Sequence, residues 1–186
     1  MYKVNEIFYS LQGEGYNTGT PAVFVRFAGC NLHCSFCDTE FNTFTYMTID
    51  DIIHELQKYP TKFVILTGGE PSLQLDGNLI DRLHESGYFI SIETNGTNIL
   101  PTNIDWITLS PKPEGEVILS HADELKIVYD GNIDVEEVRN SLSHLEIRHF
   151  FLQPLSCTNT ENVINYILLH PWWRLSLQTH KYLNIR

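Results

Sequence analysis

The chain has 186 residues, 42% of them apolar and 12% aromatic; at this size folding hides roughly 70% of the unfolded surface, so one domain spanning residues 1–186 needs no disulfide staples. Twelve Lys and Arg against 23 Asp and Glu give a formal charge of −11, which opposes the attraction to phosphate on which nucleic-acid binding rests. No apolar run approaches the roughly 20 residues that span a bilayer, and Met1-Tyr2-Lys3-Val4-Asn5-Glu6 lacks the charged-then-apolar order of a signal peptide, so a cytoplasmic protein that engages neither nucleic acid nor membrane is expected.

In chain order, residues 4–8 can form a first strand, and short β-branched and aromatic runs follow at 22–27, 63–67, 89–93, 106–109, 125–129, 150–153 and 174–178. Helical patterns separate several of them: 49–58 behind an N-cap at Thr48, 78–86 ending at Gly87, 135–142, and 161–169. Strands alternating with helices predict a parallel sheet with crossover connections. The segments after Glu93 and Leu109 are too short or too rich in Pro for full helices, so bare loops are expected there. The fold predicted is α/β, an incomplete, helix-poor (β/α) barrel.

Folds of this class place their chemistry at the carboxyl ends of the strands, and the polar motifs fall at those positions. Residues 30–37 follow the run 22–27. Gly68-Gly69-Glu70-Pro71, Thr94-Asn95-Gly96 and Ser110-Pro111-Lys112-Pro113 follow the next three, and Gln153-Pro154 and Gln178-Thr179-His180-Lys181 close the last two. Charge is uneven as well. Residues 110–146 carry nine acids and three bases, whereas 147–186 carry four bases and one acid. A basic C-terminal segment folded back over a cleft would favour a small anion in an otherwise acidic molecule.

Three of the four cysteines, Cys30, Cys34 and Cys37, lie within eight residues as C-x-x-x-C-x-x-C. Such crowding reads as metal ligation rather than disulfides. Three thiolates would leave one iron of a 4Fe-4S cubane without a protein ligand, open to a substrate or cofactor. A structural zinc site with His33 as fourth ligand is the alternative. Cys157 stands apart and is expected to be a packed, unreactive thiol.

The cysteine spacing, with the aromatic Phe36 before the last Cys, resembles the signature of radical S-adenosylmethionine enzymes, and Gly68-Gly69-Glu70-Pro71 resembles their second motif. The resemblance implies a 4Fe-4S cluster whose open iron chelates S-adenosylmethionine, and reductive cleavage to a 5′-deoxyadenosyl radical. The cofactors then carry the hard chemistry, and the protein orients them and excludes water.

Leu11-Gln12-Gly13-Glu14-Gly15, Arg26, Cys37-Asp38-Thr39, Ser110-Pro111-Lys112 and Gln178-Thr179-His180-Lys181 together resemble the 7-carboxy-7-deazaguanine synthase family almost end to end. That resemblance implies a lyase acting on 6-carboxy-5,6,7,8-tetrahydropterin, with Mg2+, a flavodoxin-like or other reductant and a homodimer. Carried over, Leu11, Gln12, Gly13 and Glu14 would read the pterin edge, with Thr67, His180 and Arg186 as further substrate contacts. Arg26 would pair with the substrate carboxylate, and Thr39 would ligate magnesium. Phe36, Gly69, Glu70, Ser110, Lys112 and Gln153 would border S-adenosylmethionine. Two other readings remain open from the residues: a small radical activase acting on a partner protein, and a non-catalytic iron–sulfur or zinc module.

Overall fold

The computed structural model describes residues 1–35, 37 and 39–186. It contains one nine-stranded sheet. In chain order the elements are β1 (Tyr2–Leu11), β2 (Pro21–Phe27), β3 (Thr45–Met47), α1 (Ile49–Leu56), β4 (Phe63–Gly68), α2 (Gly77–Glu85), β5 (Phe89–Thr94), β6 (Trp106–Leu109), β7 (His121–Tyr129), α3 (Val135–Ser141), β8 (Glu146–Pro154), α4 (Thr160–Leu169), β9 (Arg174–Leu175) and α5 (Thr179–Leu183). The spatial order is β3-β1-β2-β4-β5-β6-β7-β8-β9. β1 pairs antiparallel with β2 and β3, and every pair from β2 to β9 is parallel.

Period-two alternation explains why these segments are strands with two differently used faces. On β2, Val23, Val25 and Phe27 point into the large apolar core, while Ala22 and Phe24 face a smaller cluster with Phe8 and Ile65. On β4, Val64 and Leu66 take the first direction and Ile65 the second. The large core is completed by Ile52, Ile53 and Leu56 of α1 and Leu79, Ile80 and Leu83 of α2, the apolar stripes of two amphipathic helices. Thr48 caps α1 reciprocally with Asp51, and Gly87, at φ +79°, follows α2, as the cap signals predict.

The same parity carries polar side chains to the concave face near the strand ends. Arg26 of β2, Thr67 of β4, Glu93 of β5, Lys126 of β7 and Gln153 of β8 all line one cleft there. No helix intervenes between β5 and β6 or between β6 and β7, which bears out the bare-loop expectation and gives the partial, helix-poor barrel. β9 is shorter than the run 174–178. Ser176 still bonds β8 through its backbone, N to Leu152 O at 2.9 Å, but its hydroxyl turns to Gln153 Oε1 at 2.8 Å, ending the regular ladder.

The sheet does not close, its two edges being β3 and β9, and the turn joining β1 to β2 reaches across to the β7–β9 side. Gly15 N donates to Ser176 Oγ at 2.9 Å and Tyr16 N to Glu124 Oε2 at 2.8 Å. Within the turn, the Tyr16 ring stacks on His149 of β8 at 4.5 Å and meets Trp106 of β6 at a tilt, 5.0 Å away. Since Leu66 of β4 is fully buried in the same core cluster as the α1 and α2 stripes, Leu66→Ala should cost about 2–5 kcal/mol. A urea midpoint unchanged from wild type would contradict this placement of the core.

Candidate active site

At the carboxyl ends of the parallel strands lies a cleft of about 890 Å³, within the range of small-ligand sites. The cysteine loop forms one end of it: Cys30, Cys34, Cys37 and Thr39 all line it. Phe36 lies outside the described residues. The loop is held by side chains rather than by regular structure. Asn31 Nδ2 donates to Thr97 Oγ1 at 2.8 Å, and Asn95 Nδ2 donates to Asn31 Oδ1 at 3.1 Å. Burial, then the Glu114 carboxylate, pushes the Cys34 thiol up from its ordinary value, so its conversion to a metal-bound thiolate would release a proton.

Gly69 follows β4 and lies against this loop. A Cβ there would sit 2.1 Å from Gly29 O and 3.0 Å from the Cys30 Cβ, so only glycine permits the approach. Glu70 is placed differently from its neighbour. It is fully buried and not among the residues lining the cleft. Its Oε1 accepts from Ser72 N, Ser72 Oγ and Thr94 Oγ1, and its Oε2 accepts from Asn95 N at 2.7 Å. The carboxylate therefore braces the loop that grips Asn31.

Ser110, Lys112 and Gln153 complete this side of the cleft. Lys112 Nζ donates to Ser110 O at 2.8 Å and Ser110 Oγ at 2.7 Å. Burial, then the charge of Lys126, lowers its affinity for a proton.

The β1–β2 turn and the C-terminal segment supply further lining. Leu11, Gln12, Gly13, Glu14, Arg26, Thr67, His180 and Arg186 all line the cleft. Gln12 Nε2 donates to Glu93 Oε1 at 3.0 Å, and Thr67 Oγ1 to Glu93 Oε2 at 2.8 Å. Gly13 O accepts from Thr179 N at 2.9 Å, which draws α5 and His180 over the turn. Gly15 has φ +66°, and a Cβ there would lie 2.2 Å from Glu124 Oε1.

Glu14 and Lys126 form a buried ion pair, and Gln178 Nε2 donates to the other Glu14 oxygen at 3.1 Å. Burial pushes the Glu14 carboxyl up, but the Lys126 ammonium, with Gln178 and His180, outweighs it and holds the group near about 2. Lys126 is disfavoured as a cation by burial, yet Glu14, Glu93 and Glu124 raise it above its ordinary range. Burial raises the carboxyl of Glu124 despite its bond from Tyr16 N.

The sequence reading left out Glu93 and Lys126 as site residues. Inward parity on strands otherwise made of apolar residues was the available signal, since a charge there needs a partner.

The donor set fits the group that the cysteine motif implies. Soft thiolates from Cys30, Cys34 and Cys37 suit an iron–sulfur cluster. Among the described residues no three His, Cys, Asp or Glu side chains gather closely enough to hold a single metal ion.

A Radical SAM superfamily family model matches residues 24–111. A protein of Bacteroides thetaiotaomicron named 7-carboxy-7-deazaguanine synthase is 58% identical, covering 100% of both chains. One of the same name from Burkholderia multivorans is 41% identical over 99% of each. The crystal structure of QueE from Escherichia coli superposes with a TM-score of 0.84 at 32% identity, covering 96% of this chain and 94% of that one. Streptococcus suis SuiB bound to S-adenosylmethionine, at 17% identity and a TM-score of 0.54 over 80% of this chain, shares the fold. The fold and the cysteine cleft are therefore those of a radical S-adenosylmethionine enzyme, with its 4Fe-4S cluster and S-adenosylmethionine. Within that class, the chain belongs to the 7-carboxy-7-deazaguanine synthase family.

The Glu14–Lys126 pair yields a pH test. A carboxyl held below its unfolded value of about 4.5 contributes stability at neutral pH that is lost as pH falls toward about 2. Lys126→Met leaves Glu14 buried without its cation and should cost about 3–5 kcal/mol at neutral pH. The gap in urea midpoint between wild type and variant should then narrow as the solution is acidified. A gap independent of pH would show that Glu14 is not held ionised by Lys126.

Proposed function

We propose that this protein converts 6-carboxy-5,6,7,8-tetrahydropterin to 7-carboxy-7-deazaguanine, with loss of ammonia, in queuosine and deazapurine biosynthesis. The observation that carries this reading is a single cleft lined both by the three cysteines and by Gln12, Glu14 and Arg26. Bound at the cysteine end, the cluster and S-adenosylmethionine supply a 5′-deoxyadenosyl radical.

The chain's own residues then hold and orient. Cys30, Cys34 and Cys37 ligate the cluster. Gly69, Ser110, Lys112 and Gln153 border S-adenosylmethionine, and Glu70 acts through the Asn95 loop it braces. Gln12 and Glu14 read the donors and acceptors of the pterin edge, and a mismatched analogue forfeits those contacts. The buried Gln178 Oε1 has no partner among the described residues, and a substrate N–H suits it. Arg26 offers its planar fork to the substrate carboxylate, with His180 adding a polar contact. Thr39 contributes its hydroxyl to Mg2+, which keeps most of its shell as water and substrate oxygens.

Substrate and product differ by one ammonia, so the conversion consumes no net electrons, and S-adenosylmethionine is expected to be regenerated in each turnover. In this reading residues 1–186 act as one cytoplasmic domain, a flavodoxin-like or other reductant primes the cluster, and homodimerisation covers the apolar surface of the trimmed barrel. A non-catalytic carrier would have no use for the polar far end of the cleft, and a protein-directed activase none for the covering C-terminal segment.

The direct test is anaerobic turnover of 6-carboxytetrahydropterin with S-adenosylmethionine, reductant and magnesium; absence of 7-carboxy-7-deazaguanine under these conditions would refute the reading. Replacing Cys30, Cys34 or Cys37 by Ala should remove the visible absorbance of the cluster and the activity, whereas Cys157→Ala should retain both. Thr39→Ala should keep the cluster and S-adenosylmethionine binding but lose magnesium stimulation, and full stimulation would remove Thr39 from the magnesium shell.

A further inference from the structure

Beside Arg26 stands a carboxylate to which the functional reading gives no role. Glu6 is paired with Arg26 across the β1–β2 ladder, just past an irregularity in register between Val4 and Glu6. Its Oε1 accepts from Arg26 Nε at 3.0 Å, and its Oε2 accepts from Arg186 Nη2. Two guanidinium groups thus share one carboxylate. They also share one ring: Arg26 lies 5.8 Å and Arg186 5.1 Å from the Phe8 centroid, and Phe8 is itself stacked on Phe24 at 4.9 Å. Glu6, Phe8, Phe24, Arg26 and Arg186 all line the cleft.

Glu6 bridges both cations and offsets the charge of one of them. Two guanidinium groups this close repel unless an anion lies between them. The Arg186 side chain is 70% exposed and is held by Ser10 Oγ, which donates to its carbonyl, and by Glu6. Without Glu6 it would be free to leave for solvent. Side-chain exposures of 21% for Arg26 and 27% for Glu6 mean that solvent screens the pair, so its contribution to folding is small. What Glu6 supplies is placement. It engages Arg26 through Nε, one of five donors on that side chain, and keeps a second guanidinium within reach of the same space.

The geometry points to Glu6 as a positioning residue that recruits Arg186 beside Arg26, so that both guanidinium groups clasp the carboxylate of the substrate. The inference rests on the proposed function for the identity of that substrate. Its opposite is also physically clear. If Glu6 merely competed with the substrate carboxylate for Arg26, removing it would tighten binding.

The two are separated by steady-state kinetics on the reconstituted enzyme with 6-carboxytetrahydropterin, using wild type, Glu6→Ala, Glu6→Gln, Arg186→Ala and the double variant Glu6→Ala/Arg186→Ala. Turnover by wild type tests the functional reading by itself. Given that turnover, Glu6→Ala and Arg186→Ala should each raise KM by about tenfold with kcat within about twofold, as expected for a lost charge-assisted contact made before chemistry. Glu6→Gln, which keeps one acceptor without the charge, should fall between wild type and Glu6→Ala. The double variant should be no worse than the weaker single, because one residue acts through the other. Binding of 6-carboxypterin, followed by its fluorescence, should weaken in Glu6→Ala, while binding of pterin without the carboxylate should not change. A KM in Glu6→Ala at or below that of wild type, or multiplicative effects in the double variant, would overturn the inference.

Discussion

A carboxylate and an ammonium buried against each other inside a half-closed barrel determine where its polar turn can lie. Lys126 points inward from β7 among apolar strands, where burial disfavours its charge and the carboxylates of Glu14, Glu93 and Glu124 compensate it. Glu14, reached across 112 positions of sequence, supplies the opposite charge. Satisfying one buried charge draws the whole β1–β2 turn into the open side of the sheet. The turn then presents Gln12 to Glu93 and offers the amides of Gly15 and Tyr16 to Ser176 and Glu124.

The remainder of the cleft follows from that insertion. The carbonyl of Gly13, held by the turn, receives Thr179 N, so the C-terminal segment crosses the turn instead of leaving for solvent. Its His180, Lys181 and Arg186 then line the cleft of an otherwise acidic chain. The cysteine loop is stabilised by different means. There a fully buried Glu70 organises the Asn95 loop, which in turn holds Asn31 within the cysteine motif. A barrel without crossover helices after β5 and β6 thus still brings both sets of side chains to one cleft.

Much of this was legible in the sequence. Apolar runs marked β2, β4, β5 and β6 to within a residue because both of their faces are covered, and the polar motifs after them fell on one rim. Cys30, Cys34 and Cys37, marked by their spacing, and Gln12 and Glu14, marked by the family resemblance, all line that cleft. Three things were hidden for physical reasons. β3 is a three-residue edge strand, too short to show a period. α5 is five residues long, lacks a side-chain cap at its start and ends at Asn184 in a left-handed conformation, so it owes its form to the turn beneath it. Lys126 and Glu6 take their meaning from partners distant in sequence, which no local pattern reveals. Glu70 shows a motif residue in a position that spacing could not foresee, facing inward to brace a loop.

The central claim is that one cleft holds the cluster and S-adenosylmethionine at the cysteine loop and the pterin at the inserted turn. A crystal structure of the anaerobically reconstituted protein with S-adenosylmethionine and 6-carboxytetrahydropterin tests it most directly. The account requires the pterin edge against Gln12 and Glu14, its carboxylate on Arg26, and the cluster on Cys30, Cys34 and Cys37. A pterin bound away from the β1–β2 turn, or a carboxylate directed away from Arg26, would contradict it.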